Sequence, residues 1–336
     1  MKGTTICLDT LNGVEAAALI EDGQLTDLLI DSDLPRPGTI YRATADRPVK
    51  GQGGMFVKTP DGSGFLRQIK GLSPGQTILV QVTGFAEPGK AIPVTAKLLF
   101  KSRYAIVTPG APGLNVSRSI KDDEERDRLL EIAHEAMVGS QDGLILRSSC
   151  AGAGSDDIAD DITAMADLAQ AVMADTDGGP EKLVEGAGPH ELAWREWPHE
   201  ATTDADEDAF NRHDLLDLIE RLTSPRVDLS PGTMYIEPTR ALVAVDINTG
   251  GDTSPAAGLK ANLSAARDLP RQLRLRGLGG QITLDLAPMG KKDRRAFETA
   301  LRAAFRRDGV ETALVGFTPL GHYELQRKRD RVPLNI

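Results

Sequence analysis

Aromatic residues make up only 4% of the 336-residue chain, and cysteine occurs twice. Two thiols, Cys7 and Cys150, cannot build a disulfide framework, so a stapled extracellular scaffold is excluded; they suit a reducing compartment. No apolar run approaches the ~20 residues needed to span a bilayer. The opening MKGTTICLDT lacks the apolar segment of a signal peptide. A cytoplasmic protein with no membrane segment is therefore the expectation. Histidine is also scarce, and His190, His199 and His213 lack ligand-like spacing, so no zinc is expected. Positive charge is in deficit overall: 39 Lys and Arg against 49 Asp and Glu give −10, with a pI near 5.1. That balance argues against a polyanionic partner, but it is uneven. Residues 267–331 hold 15 basic and 8 acidic side chains, or +7, while the remainder holds 24 and 41, or −17. Local charge, not the total, decides where a polyanion docks.

What is present centres on residues 241–286. ALVAV ends in Asp246 and QITL ends in Asp285, two short apolar runs that read as buried strands. Between them LKANLSAARDLPRQLRLR reads as a helix, with Leu259, Leu263, Ala266, Leu269 and Leu273 spaced by three and four. Pro270 is expected to kink or interrupt it. Strand, helix, strand places two parallel strands in one sheet with their carboxyl ends at one edge. An aspartate after a strand is common as a turn former or cap, so neither alone signals chemistry. Side by side, with Asn248 two residues past the first, they offer oxygen ligands for a hard cation such as Mg²⁺ or Mn²⁺.

The strings ALVAVDINTG, NLSAARDLPRQLRLRGLGGQITLDL and KKDRRAFETALRAAFRRD resemble the catalytic core of the ribonuclease E/G family of bacterial endoribonucleases. RQLRLRxLGG followed by a strand ending in Asp is specific to that family. The likeness is strong over about residues 225–331 and traceable back to the N-terminus. It implies a metal-dependent endoribonuclease for single-stranded RNA, with Asp246 and Asp285 binding Mg²⁺ (Mn²⁺ as substitute) and Asn248 orienting the first aspartate.

The resemblance also implies a multi-subdomain α/β and α+β architecture. Residues 1–36 plus 177–224 correspond to a structural ribonuclease-H-like subdomain; the first part alternates as a hairpin with Asp22-Gly23 at its turn. Residues 37–100, short strands broken by Gly and Pro, correspond to an S1 domain, an OB-type RNA-binding barrel. There Phe56 and Phe65 take the family's base-contacting positions and Lys90 its phosphate-contacting one. Residues 101–176 correspond to a sensor of the RNA 5′ end. Val116 lies near the terminal base, and Arg147 and Ser148 grip the 5′-phosphate. Residues 225–336 correspond to a DNase-I-like catalytic subdomain.

Three departures stand out. The long members' Cys-Pro-x-Cys zinc link has no counterpart, so a zinc-linked tetramer is not expected, while a homodimer through the catalytic subdomain stays open. GFTPLGHYEL carries Pro319 where most members have an arginine. SPAAGLKA replaces acidic residues ahead of the central helix. The second and the acidic pI support an alternative: a catalytically weakened RNA-binding protein of the same fold, acting in RNA or ribosome maturation.

Overall fold

The computed structural model describes residues 3–49, 51, 53–254 and 256–334. The chain divides into two compact units, Asp33–His199 and a unit made of Met1–Ser32 with Glu200–Ile336. The N-terminal strands β1 (Thr4–Leu11), β2 (Val14–Glu21) and β3 (Gln24–Ile30) form an antiparallel meander. Its second turn is Asp22-Gly23, as the sequence suggested.

Inside Asp33–His199, five strands close on themselves: β4 (Ile40–Val49), β5 (Gly54–Thr59), β6 (Gly62–Leu66), β7 (Thr77–Val82) and β8 (Ile92–Thr95). They run in the order β4-β5-β6-β8-β7, and β4 pairs with β7 to complete the ring. Alternation along β5 drives this: Met55 and Val57 are buried in the barrel core while Phe56 and Lys58 are not. The closed barrel is consistent with an OB or S1 fold.

A second sheet in this unit joins β9 (Phe100–Lys101), β10 (Ala105–Thr108), β11 (Gly113–Val116) and β12 (Gly143–Leu146). Helices α1 (Asp123–Ala136) and α2 (Ser155–Ala174) share its core through Leu129, Ile132, Ile158 and Ile162. The acidic first turn of α1 is capped by Asp122, which accepts from the Glu125 amide at 2.8 Å. Then β13 (Glu181–Val184) adds to the open side of β4, and α3 (Pro189–Glu196) ends the unit. Residues 177–199 thus lie with the barrel unit, whereas the sequence assigned them to the N-terminal subdomain. The reason is local: β4 offers a ladder, and buried Arg42 binds the carboxylates of Asp175 and Glu181 and donates to the Gly179 carbonyl at 2.9 Å.

From Glu200 the chain rejoins its opening strands. Strand β14 (Thr202–Asp204) pairs parallel to β1, and α4 (Ala209–Arg212) and α5 (Leu215–Leu222) cover the sheet. A six-stranded sheet follows, in the order β15-β16-β17-β18-β20-β19. Its strands are β15 (Arg226–Asp228), β16 (Thr233–Pro238), β17 (Val243–Asn248), β18 (Gly280–Asp285), β19 (Thr312–Phe317) and β20 (Tyr323–Arg327). Helix α6 (Ala257–Leu275) links β17 to β18, which are parallel, and α7 (Arg294–Arg307) links β18 to β19.

The buried face of α6 is narrower than its leucines suggested. Ala257, Gly258, Ala261, Asn262, Ala265 and Ala266 are buried there, while Leu259 and Leu263 are half-buried. Small side chains let this helix lie close to the sheet, and at Gly258 an added Cβ would fall 1.8 Å from the Pro288 carbonyl oxygen. Pro270 does not interrupt the helix, which runs on to Leu275. The helix ends in a Schellman turn: the Leu278 amide donates to the Leu273 carbonyl at 2.8 Å and that of Gly277 to Arg274 at 3.1 Å. Gly277 has φ +64, and an added Cβ would lie 2.0 Å from the Val332 carbonyl oxygen, so this position admits no side chain.

Beneath the turn, Asp308 bonds Arg274 and Arg327, and the Arg327 and Asp308 side chains are each only 1% exposed. Arg274 also donates to the Thr26 carbonyl at 2.7 Å, tying α6 to β3. Among the described residues no helix is long and apolar enough to cross a membrane.

Removing Asp308 would leave two guanidiniums without their carboxylate in a dry interior. Asp308→Ala should destabilise the unit containing it by about 3–5 kcal/mol, read as a lower urea midpoint; an unchanged midpoint would contradict the burial.

Candidate functional site

The parallel ladder of β17 and β18 aligns Val243 with Ile282, Val245 with Leu284 and Asp246 with Asp285. Val245, Ile247, Ile282 and Leu284 point into the core, so the strand alternation turns Asp246, Asn248 and Asp285 to the exposed side. Adjacent strands lie about 4.8 Å apart, which brings the two exposed carboxylates together. Asn248 donates from Nδ2 to Asp246 Oδ2 at 2.7 Å. The three catalytic residues expected from the sequence are therefore assembled.

The second carboxylate is held by residues the sequence reading passed over. Asn262, fully buried on α6, donates to the Ala287 carbonyl at 2.9 Å and accepts from the Ala287 amide at 3.0 Å. Both bonds fix the chain two residues past Asp285. A buried Asn on an otherwise small-residue helix face was the available signal. His322, just ahead of β20, brings Nε2 to 3.7 Å from Asp285 Oδ1. Its only sequence signal was a histidine in a family segment. The hairpin carrying it is pinned from below. Tyr323 packs edge-on against Phe317 and Phe297 at 5.0 and 5.6 Å, and Arg294 lies 4.7 Å over Phe317. Pro319 sits in the tight turn of that hairpin, where the Thr318 amide donates to the His322 carbonyl at 2.8 Å.

Mg²⁺ prefers oxygen ligands, keeps several waters and is commonly bound through one or two carboxylates plus a substrate phosphate. Two exposed, adjacent carboxylates with a neutral amide on one of them fit that demand. Among the described residues no group of three or more His, Cys, Asp or Glu is built to enclose an ion, which suits Mg²⁺ better than a caged metal.

On the barrel, Phe56 and Phe65 are cross-strand partners on β5 and β6, half-exposed, with ring centroids 5.3 Å apart and planes tilted by 49°. Arg47, exposed, lies 4.9 Å over the Phe56 ring. Two open aromatic faces beside a guanidinium form a surface on which bases can stack. Lys90, in the turn before β8, is exposed and pairs with Glu87 at 2.6 Å.

The expected 5′-end residues fare unevenly. Val116 is buried in the core at the end of β11. Ser148 is exposed just after Arg147. Arg147 is already engaged: Nη1 donates to the carbonyls of Ser102, Arg103 and Arg195 at 2.5, 3.1 and 3.2 Å, and Nη2 to Glu196. Glu196 also meets Lys101 at 2.7 Å and Arg195 at 2.8 Å. Burial pushes the Glu196 carboxyl up, but Lys101, Arg147 and Arg195 outweigh it and hold the group at about 2.

A model of the ribonuclease E/G family matches residues 100–205 and 197–330. The chain belongs to the ribonuclease E/G family. It is 28% identical over 384 residues to ribonuclease G of Salmonella typhimurium (strain SL1344), covering 94% of this chain and 77% of that protein. Ribonuclease G of Escherichia coli (strain K12) matches to the same extent. Ribonuclease E of Nostoc sp. (strain PCC 7120 / SAG 25.82 / UTEX 2576) is 26% identical, over 94% of this chain and 54% of that protein.

Because the Glu196 carboxyl is held below its ordinary 4.5, its ion pairs stabilise the fold fully above that value and fade as pH falls toward about 2. The stability difference between the native chain and Glu196→Gln should be constant above roughly pH 5 and shrink below it. Thermal melts across that range check this, and a difference that grows on acidification would refute the assignment.

Proposed function

We propose that this family member is an endoribonuclease of RNA processing that cuts single-stranded RNA, with Asp246 and Asp285 holding Mg²⁺. The observation that carries the reading is the in-register pair of exposed aspartates on adjacent parallel strands, one of them bonded by Asn248. The names of the relatives, ribonuclease G and ribonuclease E, support the reaction class. On this reading the sheet of β15–β20 is the DNase-I-like catalytic subdomain. The sheet of β1–β3 with β14 is the ribonuclease-H-like one, the barrel is an S1 domain, and the protein works in the cytoplasm.

Each residue then has a task. Asp246 and Asp285 supply the negative charge that holds the ion between strand ends that cannot drift apart. Bound there, Mg²⁺ would lower the pKa of a water and offset charge on the phosphate. Asn248 occupies one oxygen of Asp246 and so turns the carboxylate to a set orientation. Asn262 keeps the chain after Asp285 from moving. Phe56 and Phe65 stack bases of the strand, while Arg47 and Lys90 meet its phosphates.

One observation favours a second reading, an RNA-binding protein of the same fold with weakened catalysis. The turn holding Pro319 supplies no cation where the family resemblance places an arginine. Melting with added Mg²⁺ or Mn²⁺ separates the two, because an ion bound only by the folded state raises the transition.

The direct test is cleavage of a labelled single-stranded RNA with Mg²⁺ or with EDTA. Asp285→Asn should lower the rate by about 10³ or more, and Asn248→Ala by about 10–100-fold. Full activity in Asp285→Asn would end the metal assignment. A native chain that binds RNA, cuts none and is not stabilised by metal selects the second reading.

Stacking is measured separately. Phe56→Ala should weaken binding of a fluorescent single-stranded oligonucleotide by about 1–3 kcal/mol at fixed salt. Unchanged anisotropy curves would reduce the pair to a patch of barrel surface.

A further inference from the structure

Three cations converge on one carboxylate in the unit Asp33–His199. Glu196 ends α3, and Lys101, Arg147 and Arg195 all reach it. The local sum is two positive charges in excess of what the carboxylate supplies. A phosphate monoester carries about −1.5 to −2 at neutral pH and accepts from forked guanidiniums through several oxygens. The cluster therefore has the charge and donor geometry of a phosphate site, with a side chain of the same protein in it.

The occupant is held from several sides. Arg103, buried and 5.2 Å over the Trp194 ring, donates to the Trp194 carbonyl, and Arg147 donates to that of Arg195. Both cations thus take up carbonyls left open at the end of α3. This anchors the helix, and with it Glu196, against β9 and the turn after it. A tethered carboxylate competes at an effective concentration of millimolar order or higher, whereas an RNA end arrives at far lower concentration.

We propose that Glu196 is the resident occupant of a phosphate-monoester site formed by Lys101, Arg147 and Arg195, and that it makes the chain indifferent to the 5′ end of its RNA. Glu196 is then a specificity-determining residue. It touches no reacting atom, and its removal exposes a latent preference for 5′-monophosphorylated RNA. The inference rests on the endoribonuclease reading for its kinetic consequence only, since occupancy can also be read from binding.

The experiment uses the full chain and two RNAs of one sequence, bearing a 5′-monophosphate or a 5′-hydroxyl. The native chain should cut both at nearly equal kcat/KM and bind both equally by anisotropy. Glu196→Gln keeps the shape but not the charge. It should favour the monophosphate by roughly tenfold or more, the worth of one or two charge-assisted hydrogen bonds. Adding Lys101→Gln to that variant should bring the ratio back toward one. Glu196→Ser serves as a second uncharged variant should the first not fold. A native chain that already prefers the monophosphate tenfold overturns the proposal, as does an unchanged ratio in both uncharged variants. If no RNA is cut at all, the endoribonuclease reading fails, and the binding ratios alone decide this one.

Discussion

The parallel register between β17 and β18 is the constraint on which the candidate active site depends. A slip of one residue would turn Asp285 into the core and a leucine out to solvent. Both ends of α6 oppose that slip. At its start Asn262 grips the backbone of Ala287 through two bonds, and Gly258 lets the helix approach Pro288. At its end the Schellman turn at Gly277 sends the chain directly into β18. The carboxylates are thus placed by main-chain geometry, and Asn248 has only to set the rotation of one of them.

The arginines that mark the family resemblance serve this scaffold. Arg271 donates to the Leu25 carbonyl, Arg274 to Asp308 and Thr26, and Arg276 to Gln272 and Ser224. Burial pushes the Arg276 guanidinium down to about 10, with Arg271 adding to the effect. The local charge of +7 therefore overstates what RNA can meet. The exposed part comes mainly from α7 and the segment before it, where Lys291, Lys292, Arg295, Arg302, Arg306 and Arg307 face solvent around a buried stripe of Phe297, Leu301 and Phe305.

The two units differ in how cation and anion are used. Near Asp246 and Asp285 negative charge is left open toward solvent, as a site for a hydrated cation requires. Near Glu196 the reverse holds: a positive cluster is closed by an acid from the same unit. Tyr41 shows the same economy within the barrel, donating to Asp61, so that a buried hydroxyl and a turn carboxylate satisfy one another.

Much of the fold was legible because it rests on local signals: apolar alternation in β5 and β6, the Asp22-Gly23 turn, and the strand–helix–strand pattern around α6. Where the reading erred, partners distant in sequence decided the outcome. Residues 177–199 joined the barrel unit because β4 and Arg42 were waiting 130 or more positions earlier. The leucines of α6 yielded its inner face to alanines because the sheet lies too close for larger side chains. By itself the sequence determined which residues carry chemistry, since side-chain type and strand period are local properties. Only the tertiary structure decided which of them are available: it left Asp246 and Asp285 open side by side, and it closed Arg147 on Glu196, because pairing of charges depends on proximity in space.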